Sequence, residues 1–175
     1  MAQVSNKIYF GHFLVSPQVF HVTPYSFALV NIKPLLPGHV LVCPLRAVPR
    51  FADLSKNEVT DLFLTVQRVG RMIERVYRAS SLNIAMQDGA DAGQSVPHLH
   101  THIIPRKRAD LDDRGGSDAI YGMIDSEEGN VGKHFRDMSE DRPKFPKVDD
   151  AARKPRSADE MADEARMLSQ EMEKD

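Results

Sequence analysis

Three histidines, His98, His100 and His102, alternate with Leu99, Thr101 and Ile103 within Pro97–Pro105. Side chains of an extended strand alternate between its faces, so the three rings share one face and Leu99 and Ile103 are left to pack on a core. Same-face neighbours sit about 6.5–7 Å apart along the backbone, near enough for three rings to act on one small chemical group. Three uses fit such a cluster. It can be an edge strand without chemistry, although each buried imidazole then needs partners for two nitrogens. It can hold zinc, although no Cys, Asp or Glu inside the motif completes a ligand set. It can carry nucleophilic and acid–base catalysis, for which imidazole titrates in the right range.

The elements that must position these rings read as short strands and one long helix. Ile8–Val15 is an apolar arm containing His12, which by itself reads as a structural side chain. Gln18–Val22 and Ser26–Asn31 are strand candidates separated by Thr23-Pro24, and His39–Cys43 opens a third directly after Pro37-Gly38. The period then changes from two to 3.6. Ser55 and Glu58 form a capping box, and Val59, Leu62, Phe63, Val66, Val69, Ile73, Val76 and Tyr77 make one stripe, which predicts a helix over 57–78 laid on the sheet. Leu82–Gln87 is the next strand, with Asn83, Ala85 and Gln87 on one face. Asp88–Pro97 is a long loop leading into the histidine strand. The fold class is α+β: a five-stranded antiparallel meander on one long helix.

Residues 1–108 form the catalytic unit in this reading. Residues 109–156 are charged, with several Gly and Pro, and are expected to be a mobile loop or linker. A second capping box at Ser157–Glu160, followed by Met161, Ala165, Leu168 and Met172, predicts that 157–175 forms an amphipathic C-terminal helix of the same domain. Arg106-Lys107-Arg108 reads either as a solvated turn or as a device for steering an anion.

Composition sets limits on function. The chain has 175 residues, 41% of them hydrophobic, and a formal net charge of −2, so a core is affordable and broad binding to nucleic acid or a membrane surface is not expected. Cys43 is the only cysteine and sits in an apolar run, as a small buried hydrophobe would. Without a long apolar segment, the chain is expected to be soluble and intracellular.

The run His98-Leu99-His100-Thr101-His102-Ile103-Ile104 resembles the signature of the histidine triad (HIT) superfamily of nucleotide hydrolases and transferases, with Thr101 its one non-apolar spacer. Three further blocks, Ser26–Asn31, Pro37–Arg46 and Gln87–Pro97, resemble the fragile histidine triad branch, the diadenosine triphosphate hydrolases. The wording from Ser95 to Arg106 is most like its fungal members. The resemblance is close over residues 8–108 and continues only at Ile120-Tyr121 and in the final helix.

That resemblance implies an HIT-like fold, a symmetric dimer and hydrolysis of diadenosine triphosphate to AMP and ADP. A nucleoside phosphoramidase, or a nucleotide-loaded signalling module with hydrolysis as its off-switch, are the alternative readings. It implies His100 as the nucleophile that forms a covalent nucleotidyl-histidine, His102 as donor to the scissile phosphate, and His98 as the group orienting His100. His39 would support the cluster. His12, Asn31 and Gln87 would contact the nucleotide, and Gly93, Gln94, Ser95 and Val96 would contact phosphate together with His102. The motif holds no Lys or Arg. A divalent cation, Mg or Mn, is therefore expected to arrive on the polyphosphate rather than in a protein cage, with no protein metal ligands and no organic cofactor. Asp88 is expected to serve an Asp-Gly turn. The protein is expected in the cytoplasm, with the nucleus a second compartment.

Overall fold

The structure, a computed structural model, describes residues 7–126, 131–133, 135 and 155–174. A short hairpin of β1 (Tyr9–Phe10) and β2 (Phe13–Leu14) precedes the main sheet and buries Phe10, Phe13 and Val15. The main sheet consists of β3 (Val19–Val22), β4 (Ser26–Val30), β5 (Val40–Pro44), β6 (Ser81–Met86) and β7 (Thr101–Arg106). All its pairings are antiparallel, as expected, but the order is β3-β4-β5-β7-β6. It is therefore not a meander. The helix after β5 carries the chain past one position to the edge, and β7 returns into the gap, with β5 on one side and β6 on the other. The strand that carries His102 is thus held by hydrogen bonds along both edges.

That helix, α1 (Lys56–Tyr77), begins at the expected capping box: the Glu58 N–H donates to Ser55 Oγ, and the Ser55 N–H donates to the Glu58 carboxylate. Leu62, Val66, Val69, Met72 and Ile73 face the sheet. Phe63, read as part of the stripe, is 47% exposed, and Met72 is buried in its place. The buried arc of the helix is centred slightly away from the arc the apolar residues alone suggest.

Alternation along β7 divides the interior in two. Leu99 and Ile103 join the main core under α1, whereas Ile104 joins Leu35, Leu111, Ile120, Met123 and Ile124 on the other face. Those last three residues lie on a short helix, α2 (Ala119–Asp125). The start of the segment expected to be a mobile loop therefore carries a helix that packs on the sheet. Apolar residues at 120, 123 and 124 supply a helical face. Arg106 anchors the turn before them, donating twice to Asp110 and once to Asn83 Oδ1. Most of the remaining expected linker, residues 127–130, 134 and 136–154, lies outside the described residues.

The C-terminal helix, α3 (Ala158–Met172), starts at its capping box and buries Met161, Ala165, Leu168 and Met172. It docks on its own domain, against β3, β4, α1 and the turn at Ser16–Gln18. Tyr77 donates to Glu164 at 2.5 Å, and Arg156 pairs with the same carboxylate. The Arg156 N–H also donates to the Ile32 carbonyl, and its guanidinium to the Asn31 carbonyl, so the helix is tied to the loop between β4 and β5.

Candidate active site

The histidines do not share one regular strand. β7 begins at Thr101, so only His102 is a strand residue, and His98 and His100 lie in the irregular approach to it. Leu99, the residue between them, donates its N–H to the Val48 carbonyl rather than entering the sheet ladder. All three rings are nevertheless buried, at 0%, 1% and 0% exposure.

Each ring has a distinct hydrogen-bond environment, and together these fix the tautomers. The Gly11 N–H donates to His98 Nδ1 at 2.9 Å, so His98 Nε2 carries the proton and donates to the Pro44 carbonyl at 2.7 Å. Both nitrogens of His98 are used, and its ring joins the N-terminal hairpin to the end of β5. It is the main-chain carbonyl of His98 that orients His100: His100 Nδ1–H donates to it at 2.9 Å. This leaves His100 Nε2 with a lone pair and, among the described residues, no hydrogen-bond partner. The ring of Phe10 stands edge-on to His100, with centroids 5.1 Å apart.

His39 and His102 form the second part of the site. The Leu35 N–H donates to His39 Nδ1, which places the His39 proton on Nε2. That proton is donated to His102 Nδ1 at 2.9 Å, so His102 carries its own proton on Nε2. Among the described residues His102 Nε2 is buried with no partner. The rings of His100 and His102 lie 5.1 Å apart. The site thus presents a lone pair on His100 next to a donor on His102.

Burial keeps these rings neutral. It pushes His100 down to about 4, against the opposing bond to the His98 carbonyl. Burial, then the neighbouring His100 and His39, holds His102 well below the ordinary imidazole range, and burial also lowers His98.

The residues expected to contact the nucleotide reach the cluster from several elements. Gln87 extends the Asn83, Ala85 face of β6, and Ala85 pairs with His102. Its amide lies on the loop ahead of the triad: a Cβ added to Gly93, whose φ is +89°, would come within 2.5 Å of Gln87 Nε2. Only glycine lets that amide lie there. The amide donates to the Asp125 carboxylate at 3.1 Å. Asn31 is buried, accepts from the Lys33 N–H through Oδ1, and has its Nδ2 3.4 Å from His39 Nε2. Ser95 Oγ accepts from the Gly132 N–H. Val96 is buried in the core, so only its backbone can serve a ligand.

Gln94 and His12 have different surroundings. The Gln94 side chain is engaged at both ends by the main chain, accepting from the Gly89 N–H and donating to the Pro49 carbonyl, and so braces the loop. His12 is exposed at the tip of the hairpin with its ring on Phe13, centroids 4.0 Å apart. Asp88 receives the Arg50 guanidinium and the Phe51 N–H, as a loop anchor would. Arg106 is 6% exposed and fully engaged, which removes it as an anion-steering group. Among the described residues no cluster of His, Cys, Asp and Glu is arranged to hold a metal ion. Sequence reading missed Asp125, Arg156, Phe10 and the Leu35 N–H. The first two lie in the stretch read as linker, Phe10 lies in the apolar arm, and Leu35 acts through a main-chain atom that carries no residue-type signal.

Comparison with known proteins shows the family. The model of the HIT domain matches residues 10–109. The chain belongs to the HIT domain family. It is 47% identical to the asymmetrical bis(5'-nucleosyl)-tetraphosphatase of Schizosaccharomyces pombe, over 97% of this chain and 98% of that one. It is also 47% identical to a bifunctional bis(5'-adenosyl)-triphosphatase/adenylylsulfatase of Arabidopsis thaliana, over 94% of this chain and 84% of the relative. Among solved structures, a Plasmodium falciparum diadenosine triphosphate hydrolase in complex with cyclomarin A superposes with a TM-score of 0.69 and 28% identity, over 98% of this chain and 88% of the other.

Proposed function

We propose that this protein hydrolyses diadenosine polyphosphates, chiefly diadenosine triphosphate to AMP and ADP, through a covalent intermediate on His100. The observation that carries the reading is that, among the described residues, His100 Nε2 is unbonded and stands beside an unpartnered His102 Nε2–H. His100 Nε2 attacks the phosphorus that bears the adenosine. The N–P bond forms as the P–O bond to ADP breaks, and His102 Nε2–H bonds to the departing oxygen. The proton stays on His100 Nδ1, which donates it to the His98 carbonyl, and this bond stabilises the cationic ring of the intermediate. Water then attacks phosphorus, the N–P bond breaks with its electron pair returning to His100 Nε2, the proton lost by the water passes to solvent, and AMP leaves with neutral His100 restored. Asn31 and Gln87 contribute amides that bind nucleotide oxygens without adding charge.

The names of the relatives support the substrate class and leave two chain lengths to compare, since one relative is a tetraphosphatase and the other a triphosphatase. Intact-protein mass spectrometry after a brief neutral quench tests the mechanism. An adenylyl mass on wild type and none on His100→Asn is expected. An adduct retained in His100→Asn would remove His100 as nucleophile. The nucleotide products tell chain lengths apart: AMP with ADP from the triphosphate, AMP with ATP from the tetraphosphate. The polyphosphate is proposed to bring its own Mg or Mn.

The proposal includes a symmetric dimer. β6 is an edge strand in the described sheet, with Ile84 51% exposed, and Leu64 on α1 is 62% exposed. Light scattering after size exclusion should give twice the 19.7 kDa chain mass. The reading also extends to the cytoplasm and nucleus. Among the described residues no helix is long and apolar enough to cross a membrane, and a fluorescent fusion tests the compartment.

A further inference from the structure

Asp125 is the last residue of α2, where an acidic side chain meets the negative end of the helix dipole, so it does not serve that helix. Its Oδ1 accepts the Gln87 Nε2–H at 3.1 Å and lies 3.8 Å from where a Gly93 Cβ would stand. An anion of the protein's own therefore occupies the donor that the proposed reaction uses for a substrate anion. Among the described residues of the site, His98, His100 and His102 are held toward the neutral form by burial, and Arg50 and Arg106 are engaged by Asp88 and Asp110.

A polyphosphate brought to Gln87 meets a carboxylate a few ångströms away. Two anions at that separation repel unless a cation lies between them. Magnesium is commonly held in this way, by one or two carboxylates together with substrate phosphates and water. We propose that Asp125 makes the site select the divalent-cation complex of its polyphosphate, by setting a carboxylate beside the Gln87 amide and the Gly93 turn of the loop expected to meet phosphate. The inference rests on the dinucleoside polyphosphate reading above and deepens it: the metal is required by a residue of this chain. Gln87 is the binding group and Asp125 the specificity determinant.

The test compares kcat/KM for diadenosine triphosphate in excess EDTA and in excess Mg2+, for wild type, Asp125→Asn and Asp125→Glu. Removing one like charge at this range is worth about tenfold. The Mg2+-to-EDTA ratio is expected to fall about tenfold in D125N, chiefly because the EDTA value rises, and to be retained in D125E. An unchanged ratio in D125N, or an equal change in both conditions, overturns the proposal. A second readout does not depend on turnover. His100→Asn and the double variant H100N/D125N are titrated with metal-free diadenosine triphosphate by calorimetry. The double variant should bind about tenfold tighter, and equal affinities overturn the proposal. Wild type that cleaves no dinucleoside polyphosphate in either condition refutes the function itself. Wild-type turnover with an unmoved ratio refutes the role of Asp125 alone.

Discussion

His39 Nε2 lies 2.9 Å from His102 Nδ1, and the direction of that bond is set from outside the pair. The Leu35 main chain fills His39 Nδ1, His39 must then donate, and His102 must present its proton on Nε2. A single backbone amide thus decides which atom of His102 faces the substrate. His39→Ala removes the donor and frees His102 to take the other tautomer. A fall in kcat of about 10- to 100-fold is expected, with KM changed much less. Steady-state kinetics on diadenosine triphosphate would expose the idea as wrong if KM carried the loss.

Burial of His100 fixes the pH response. Its folded-state value of about 4 lies below the 6.5 of an ordinary imidazole, so the unfolded chain binds the extra proton first. The stability this ring contributes is present above pH 6.5 and is lost as pH falls toward 4. The acid limb of kcat/KM, which reports the free enzyme, should likewise fall near 4 and not near 6.5. Urea midpoints at pH 7 and pH 5 check the first point: His100→Asn should narrow the difference between them, with buried His98 and His102 keeping the remainder. A pH–rate profile with its acid limb at 6.5 would contradict the second.

At Gly93 a backbone requirement and a functional one coincide. Its φ of +89° disfavours any L side chain, and an added Cβ would strike the Gln87 amide. Gly93→Ala should cost about 1–2 kcal/mol in stability and lower kcat/KM about as much as Gln87→Ala. Because both changes remove the same amide, the double variant should lose little more than either single one. Additive losses would show that the two residues act separately.

Arg106 is a structural cation despite its place in a basic run. It donates to Asp110, Asn83 and Ser117, and thereby closes the turn that leads to α2. Arg106→Ala should destabilise the fold by about 2–4 kcal/mol. Well below its lowered melting temperature, it should leave the salt dependence of kcat/KM unchanged. A flattened salt dependence would instead reveal electrostatic steering.

The parts of this site that could be read from sequence are those written as local pattern. The alternation of His98, His100 and His102 announced the cluster, and the capping boxes at Ser55 and Ser157 gave the helix starts. The strand order could not be read in the same way, because a neighbour in sequence is not always a neighbour in the sheet: β5 and β6 are consecutive, yet β7 lies between them and pairs with both. The division of labour within the triad was hidden for the same reason. The partners of His98 lie 87 and 54 residues away, and both are main-chain atoms with no residue-type signature. Asp125 stood in a stretch whose charge resembled that of a linker. The apolar spacing at Ile120, Met123 and Ile124 was the signal that α2 exists, and with it the carboxylate that meets Gln87.

The bond from the Gly11 N–H to His98 Nδ1 has a spectroscopic consequence. An amide proton held by a ring nitrogen experiences a different shielding from one held by a carbonyl, and it exchanges with deuterium only when the hairpin lifts away. Gly11 is therefore a built-in reporter, far along the chain from the histidines, whose resonance and exchange lifetime register whether the catalytic cluster is assembled without any substrate being added.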